Sequence, residues 1–408
     1  MESHRRSLKP RSPLRSRVAA AHSAKRPALL RRALFVLLCS GSGLALSIEA
    51  AREPPRDEVV ETQLLPKAVK QSVQRLAQQK TQARRSPDGT PGHRIDAARR
   101  LIQAARVSGD PRTLGYAEAE LNGAPETGPL GVEVLVLRAT IEQSRHRFDA
   151  ARALLDRAVE QSPRHVQARL TRATVAQVRG DLNAARADCD ALREPAPTVA
   201  VICEAISDSL SGKNVRAIRA LESVTDPALR GWALSLAGEI HEQQGAHDAA
   251  VRAYTASLAL GEDLYTTVAL VDALIAQRGW PRAEALLASL PATDAVLLRR
   301  WIVARRQQRD VTALQAQLAD RFTAAQARNE LLHIREAALF ALEQGNGAAL
   351  ELARKNWNDQ REPADLRILA LAARATGDAA ALAEVQNWLA RTGLRDARVE
   401  RALNPGKS

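Results

Sequence analysis

The feature of this sequence that most constrains its fold is a recurring segment. The stretch RATIEQSRHRFDAARALLDRAV begins at Arg138, and RATVAQVRGDLNAARADCDAL begins at Arg172, 34 residues further on. Runs with helical apolar spacing alternate with short breaks from Arg94 to about Leu389. A period near this length indicates stacked helical hairpins, because a single hairpin is too small to bury its own apolar face.

The breaks predict the turn inside each hairpin. Successive breaks lie 30 to 37 residues apart, and nine of them predict about nine helix pairs over residues 94–404. The predicted turns are Gly109, His146, Gly180, Gly212, Gly245, Gly279, Arg309–Asp310, Gly345 and Gly377. Ala and Leu supply much of the apolar share and favour helices, whereas aromatic residues make up only 3%. The sequence therefore predicts an all-α fold.

Small residues recur at matching places in the two helices of each clear hairpin. The pairs are Ala139 with Ala151, Ala173 with Ala185, Ala205 with Ala217, and Gly238 with Ala250. Four residues after the second member comes a larger residue on the same helical face, namely Leu155, Cys189, Leu221 or Tyr254. The pattern predicts that the two helices of a hairpin approach closely and that the larger residue fills the space toward the next hairpin.

These residues resemble the tetratricopeptide repeat (TPR) family. The best match is WALSLAGEIHEQQGAHDAAVRAYTASLAL, from Trp232 to Leu260, and the units 132–163, 166–197 and 231–262 fit well. Glu284 departs from the pattern, because it stands where a second helix would carry its small residue. The resemblance implies a right-handed α-solenoid of antiparallel helix pairs whose first helices line a concave groove for a partner peptide. The organisation is also similar to that of exported bacterial TPR proteins.

The positive charge of the chain lies mostly before the predicted repeats. The formal net charge is +13, but ten basic residues and one acid precede residue 33. A nucleic-acid-binding protein is expected to carry such charge as a patch on its folded domain. We therefore expect no nucleic-acid partner.

The same basic segment leads into an apolar one. Arg31-Arg32 is followed by ALFVLLCSGSGLALS over residues 33–47, which is typical of a secretory signal peptide. We expect a leader over residues 1–51 with cleavage near 47–51, a polar linker over 52–93, and a periplasmic product. A retained membrane anchor is the alternative, although a spanning helix needs about 20 apolar residues; we expect membrane contact only in that case.

The sequence offers no pattern for catalysis or for a cofactor. The histidines are dispersed, and no phosphate-binding loop, nucleophile elbow or Cys-x-x-Cys is present. Acids alternate with Arg, as in ELARKNWNDQRE, which is typical of solvated helix faces. We therefore expect no catalytic residues, no metal and no cofactor.

Cys189 and Cys203 are the two cysteines that follow the leader. They fall on neighbouring helices of consecutive hairpins, and an exported chain meets an oxidising compartment. A disulfide is one interpretation. Two buried thiols that pack as small apolar groups are the other.

The first helices supply candidate groove residues. The register predicts that polar side chains of these helices face the groove: Thr140, Gln143, Thr174, Gln177, Glu239 and Glu242. Solvated helix faces without a partner are the alternative. The sequence favours an exported protein-interaction scaffold that binds a peptide or helix of an envelope protein. A structural subunit of an envelope assembly or polysaccharide-export complex is a second hypothesis, and an envelope hydrolase or lyase with a solenoid cleft is a remote third.

Overall fold

The computed structural model describes residues 91–108, 110–328 and 332–406, which all belong to one compact unit. The predicted leader, its apolar core, the linker up to residue 90 and the turn at Gly109 lie outside the described residues. The first described helix begins at Pro91, slightly before the predicted start of the repeats at residue 94. Proline is well suited to the first turn of a helix.

Nineteen α-helices and no strand are found in these ranges. They are α1 Pro91–Ser108, α2 Arg112–Leu121, α3 Gly131–Ser144, α4 Phe148–Gln161, α5 Val166–Arg179, α6 Leu182–Ala191, α7 Pro197–Ser209, α8 Asn214–Glu222, α9 Pro227–Gln243, α10 His247–Leu258, α11 Leu264–Ala276, α12 Trp280–Ala288, α13 Asp294–Arg306, α14 Thr312–Ala327, α15 Ile334–Gln344, α16 Ala348–Asp359, α17 Pro363–Thr376, α18 Ala379–Thr392 and α19 Ala397–Leu403. The predicted all-α fold is confirmed. None of these helices combines the length and the apolar character that crossing a bilayer requires.

Consecutive helices pair into nine hairpins, numbered 1 to 9 from α1–α2 to α17–α18, and α19 packs against α17. Each first helix also packs against the first helix of the next hairpin. The first helices therefore stand side by side on the inner face of an α-solenoid, as the sequence predicts.

One residue in the left-handed conformation marks the turn of each hairpin from 2 to 9. These residues are His146, Gly180, Gly212, Gly245, Arg278, Gln308, Gly345 and Gly377. A left-handed residue just after a helix lets the chain reverse while the last carbonyl groups stay hydrogen-bonded. Glycine adopts this conformation without strain, whereas other residues pay roughly 1–2 kcal/mol.

The left-handed residue also fixes the register of the second helix. In hairpins 2 to 6 the residue five positions later is a buried alanine, namely Ala151, Ala185, Ala217, Ala250 or Ala283. The turn predicted for hairpin 6 is shifted by one residue. The left-handed residue there is Arg278 and not Gly279, so the buried small residue is Ala283. Glu284 is exposed and pairs with Arg309 at 2.8 Å.

The two helices of a hairpin lie so close together that larger residues would not fit between them. Gly238 faces the ring of Tyr254, and a Cβ on Gly238 would lie 2.5 Å from ring carbon Cε1. Ala139, Ala173 and their partners are fully buried. The predicted close approach of the two helices is therefore present, and it is limited by side-chain size.

We expect Ala185→Arg to reduce the free energy of unfolding by roughly 4 kcal/mol, because it places an unpaired charge at a position with no exposed surface. Ala187→Arg is the matched control, since Ala187 is exposed on the same helix. It should change stability by less than about 0.5 kcal/mol. Chemical denaturation followed by circular dichroism measures both, and equal melting of the two variants would contradict the register described above.

Candidate binding cavity

The stack of hairpins closes on itself within the described residues. The backbone N–H of Arg361 donates to the carbonyl oxygen of Val178 at 2.8 Å, and the Arg179 guanidinium donates to that of Asn358 at 3.1 Å. One hairpin further, the Asn214 amide donates to the carbonyl oxygen of Arg395 at 3.2 Å. We call these contacts, between the turns of hairpins 2–5 and residues 356–401, the closure interface.

Two turn glycines allow this interface to form. A Cβ on Gly212 would lie 2.1 Å from the carbonyl oxygen of Gly393, and a Cβ on Gly180 would lie 2.3 Å from the ring of Trp388. Both glycines have a positive φ, and the absence of a side chain also lets the opposing chain approach. Gly345 has a similar φ of +71°, but nothing lies within 4 Å of its Cβ position.

The indole of Trp388 anchors hairpin 9 at this interface. It packs edge-on against Trp357 with ring centroids 5.0 Å apart, and the guanidinium groups of Arg361 and Arg391 lie 5.4 and 4.8 Å from its ring centroid. Its exposed fraction is 6%. Aromatic pairs and cation–π contacts of this kind each contribute about 0.5–1.5 kcal/mol beyond burial.

A buried polar network reinforces the closure at hairpin 2. The Arg335 guanidinium donates to Asp365 at 2.6 Å, to Gln360 at 3.2 Å and to Glu362. The Gln360 amide in turn contacts Nδ1 of His146 at 2.9 Å. Burial, assisted by the positive charge of Arg335, lowers the pKa of His146 to about 4. The imidazole is therefore neutral at neutral pH and accepts this hydrogen bond.

A second polar contact lies where α19 meets α9. Glu242 accepts a hydrogen bond from the Tyr254 hydroxyl at 2.7 Å, and Arg398 lies 3.5 Å from its carboxylate. Arg398 is also held by Asp396 at 2.8 Å. Glu242 is thus a structural residue that the last helix covers.

The closed stack surrounds a cavity of about 720 Å³. Its lining comes from α1, α5, α7, α9, the start of α11 and the start of α17. Trp232, Leu260 and Tyr265 supply apolar surface, and Glu239 and Glu362 supply carboxyl groups. We call this space the inner cavity.

Glu239 lines the inner cavity and has a strongly raised pKa. Burial and the neighbouring Glu362 carboxylate raise the pKa of Glu239 to about 8. Its carboxyl group is therefore mostly protonated at neutral pH and becomes charged only in mild alkali. The positive charge of Arg398 lowers the pKa of Glu239, but by less than burial and Glu362 raise it.

Three of the six predicted groove residues line the inner cavity: Thr174, Gln177 and Glu239. The Thr174 hydroxyl donates to the carbonyl oxygen of Leu170 at 3.0 Å. Gln177 is buried, and its amide donates to the carbonyl oxygen of Cys203 and to the Ser207 hydroxyl, both at 3.1 Å. Its polar group is therefore used within the fold.

The other three predicted residues do not line the inner cavity. Thr140 is buried and donates to the carbonyl oxygen of Val136 at 2.8 Å, and Glu242 is covered by α19. Gln143 is half-buried near the turn of hairpin 2. The side chains of Thr140 and Glu242 are thus bonded within their own chain and lie outside the inner cavity.

Several cavity residues have no signal in the sequence. Tyr265 follows Asp263, whose carboxylate caps α11, and looks like an ordinary surface residue. Glu362 lies at the start of hairpin 9 and reaches the cavity only because the stack closes. Trp232 could have been found, because it is an aromatic residue inside the segment that matches the repeat best.

The two cysteines of the repeats are joined in the structure. A disulfide links Cys189 of α6 to Cys203 of α7, with a Cα–Cα distance of 5.5 Å. It therefore connects hairpin 3 to hairpin 4. Within the described ranges, no group of three or more His, Cys, Asp or Glu is placed to hold a metal ion.

The fold is an all-α solenoid of stacked helix pairs. No protein-family model and no curated protein matches the sequence. Among solved structures, the chain is similar to the Cut9–Hcn1 hetero-tetramer of the APC/C, with 17% identity over 72% of this chain and 59% of that one and a TM-score of 0.46. It is thus aligned with little more than half of that protein's length.

Two bacterial structures are also similar. One is Pseudomonas aeruginosa pilF, with 16% identity over 47% of this chain and 92% of that one and a TM-score of 0.36. The other is a tetratricopeptide repeat protein from Parabacteroides merdae, with 16% identity over 56% of this chain and 92% of that one and a TM-score of 0.37. The resemblance to TPR repeats is therefore argued from the residues and the repeat length of this chain itself.

We expect Gly212→Ala to destabilise the protein more than Gly345→Ala. Both variants place alanine at a positive φ, which costs roughly 1 kcal/mol. Only the first also drives a Cβ into the carbonyl group of Gly393, so it should lose at least about 2 kcal/mol more and increase amide exchange in α19. Equal losses, with unchanged exchange in α19, would show that the closure interface does not form in solution.

Proposed function

We propose that this chain is an exported, non-enzymatic scaffold that binds a segment of another envelope protein in its inner cavity. The observation that carries this proposal is the presence of large apolar side chains that face solvent inside the closed stack. Tyr265 and Leu260 each have an exposed fraction of 58% and line the cavity beside Trp232.

Covering these side chains with a ligand is favourable, because it removes their apolar surface from water. Burial of apolar surface stabilises a complex by about 25 cal/mol per Å² before the costs of association. Aromatic residues in a concave site are also the usual anchors of protein interfaces. The surrounding carboxyl, amide and hydroxyl groups would orient the ligand.

The dimensions of the inner cavity limit the ligand. A volume of about 720 Å³ falls within the range of roughly 300–1,000 Å³ that is usual for small ligand sites. The closure interface also occupies the part of the inner face around Glu242. A few side chains of a partner fit such a site, whereas a long helix laid along all first helices does not.

Export is supported by two independent features. The basic segment followed by an apolar core over residues 33–47 is typical of a signal peptide. The disulfide between Cys189 and Cys203 is of a kind that persists in oxidising compartments such as the periplasm.

A hydrolase or lyase is the second candidate, and one observation favours it. Glu239 and Glu362 both line the inner cavity, and a pair of carboxyl groups of which one has a raised pKa is typical of such enzymes. However, Glu362 is bound to the Arg335 guanidinium and takes part in the closure network. Because one carboxylate is already engaged in this way, we prefer the binding function.

We expect the disulfide to form in the cell. If the exported protein, cleaved near residues 47–51, is acid-quenched and labelled with a thiol reagent under denaturing conditions, neither Cys189 nor Cys203 should react before reduction, and both should react after it. Reduction should lower the free energy of unfolding by about 3 kcal/mol, the value typical of a loop of this length. Labelling of both Cys189 and Cys203 before reduction would contradict an oxidising location.

We expect a photo-crosslinking residue at position 265 to capture a partner protein in living cells. Position 215 is the matched control, because Val215 has an exposed fraction of 59% but does not line the inner cavity. Mass spectrometry of the crosslinked peptide identifies the partner segment. Capture of one membrane complex in every case would favour the structural-subunit hypothesis, and identical products from both positions would contradict binding in the cavity.

A further inference from the structure

The inner cavity contains a buried acceptor that the protein leaves unused. Gln243 lies in the last turn of α9 with an exposed fraction of 5%, and it lines the cavity. Among the described residues, none donates a hydrogen bond to its buried Oε1. An acceptor buried in this way costs about 1–3 kcal/mol unless a donor reaches it.

Gln243 is part of a column of acceptors along α9. Ser235, Glu239 and Gln243 are spaced four residues apart, so that they lie one above the other on the same helical face. All three line the inner cavity. The Ser235 hydroxyl is already bonded to the Thr266 hydroxyl at 2.9 Å, and the Tyr265 hydroxyl hydrogen-bonds to the Glu239 carboxyl group. The Gln243 Oε1 and the second carboxyl oxygen of Glu239 remain to face a ligand.

The other charges around the cavity do not satisfy this column. Glu362 and Glu262 add negative charge to the lining, and Asp263 is engaged as the cap of α11. Arg106 of α1 is exposed at the edge of the cavity, and Arg398 is held by Asp396 and Glu242. The wall formed by α9 therefore offers acceptors and few donors.

We propose that the inner cavity receives the basic side chain of an arginine or a lysine from the partner segment. Its N–H groups would donate to the Gln243 Oε1 and to the Glu239 carboxylate. The rings of Trp232 and Tyr265 would pack against the flat guanidinium or the methylene stem. This inference rests on the proposed function and specifies the chemistry of the ligand.

Four hexapeptides test the proposal on the full chain: acetyl-Ala-Leu-X-Ala-Leu-Ala-amide with X as arginine, lysine, citrulline or glutamate. Citrulline keeps the shape of arginine without its charge. The arginine peptide should bind at least about tenfold more tightly than the citrulline peptide, and the glutamate peptide should bind most weakly, in a titration followed by calorimetry up to about 5 mM. No binding of the arginine peptide, or equal binding of arginine and citrulline, overturns the proposal.

Variants then locate the site. Glu239→Gln and Gln243→Ala should each weaken binding of the arginine peptide at least about fivefold. Glu160→Gln and Gln244→Ala are the matched controls, because both residues are exposed and do not line the inner cavity; they should leave binding unchanged. Equal effects of the site and control variants would show that the peptide binds elsewhere.

The pH dependence gives a readout that a purely structural role would not produce. Arginine stays charged between pH 6 and 9, whereas Glu239 ionises around a pKa of about 8. The groups that face Glu239 are Glu362, Tyr265, Glu242 and Arg398. Binding of the arginine peptide should therefore tighten as the pH rises through this range, and Glu239→Gln should remove that increase. A flat profile in the unmodified protein overturns the role of Glu239.

The crosslinking experiment separates this inference from the function on which it rests. A captured partner segment that contains no arginine or lysine at the crosslinked site would leave the scaffold function intact and refute the basic-side-chain site. Failure to capture any protein from position 265 would refute the scaffold function itself.

Discussion

Close backbone approach at residues with little or no side chain determines this structure at two levels. Within a hairpin, buried alanines and Gly238 let the two helices touch, and the left-handed turn residue places them in register. Between distant hairpins, Gly180 and Gly212 let the last helices contact the turns of hairpins 3 and 4. A larger side chain at any of these positions would push the contacting helices or turns apart, because packed interiors have little free space.

Closure changes the chemistry of the inner face. In an open solenoid the polar residues of the first helices face water, whereas here Gln177 and Glu242 are used to join elements of the same chain. The remaining space is small, partly apolar and rich in acceptors. The site is therefore defined as much by hairpin 9, which contributes Glu362, as by the first helices themselves.

The helical class and most turns could be predicted from the sequence, because helix periodicity and turn residues are local signals. The turn of hairpin 6 could not be placed precisely, since Arg278 adopts a conformation in which glycine is the usual residue. The composition of the cavity was beyond prediction for a different reason. The contact of Arg361 with Val178 joins residues about 180 positions apart, and no local pattern encodes it.

Closure also has a consequence for how this chain can vary. The hairpins of an open array interact only with their neighbours, so that terminal units are lost or duplicated with little effect on the rest. Here hairpins 3 and 4 carry turn glycines whose environment is completed by Trp388 and Gly393. Insertion or removal of one repeat between them would shift the two surfaces out of alignment by a whole hairpin. The number of repeats between the contacting elements is therefore fixed by the closure interface, whereas an open array has no such restriction.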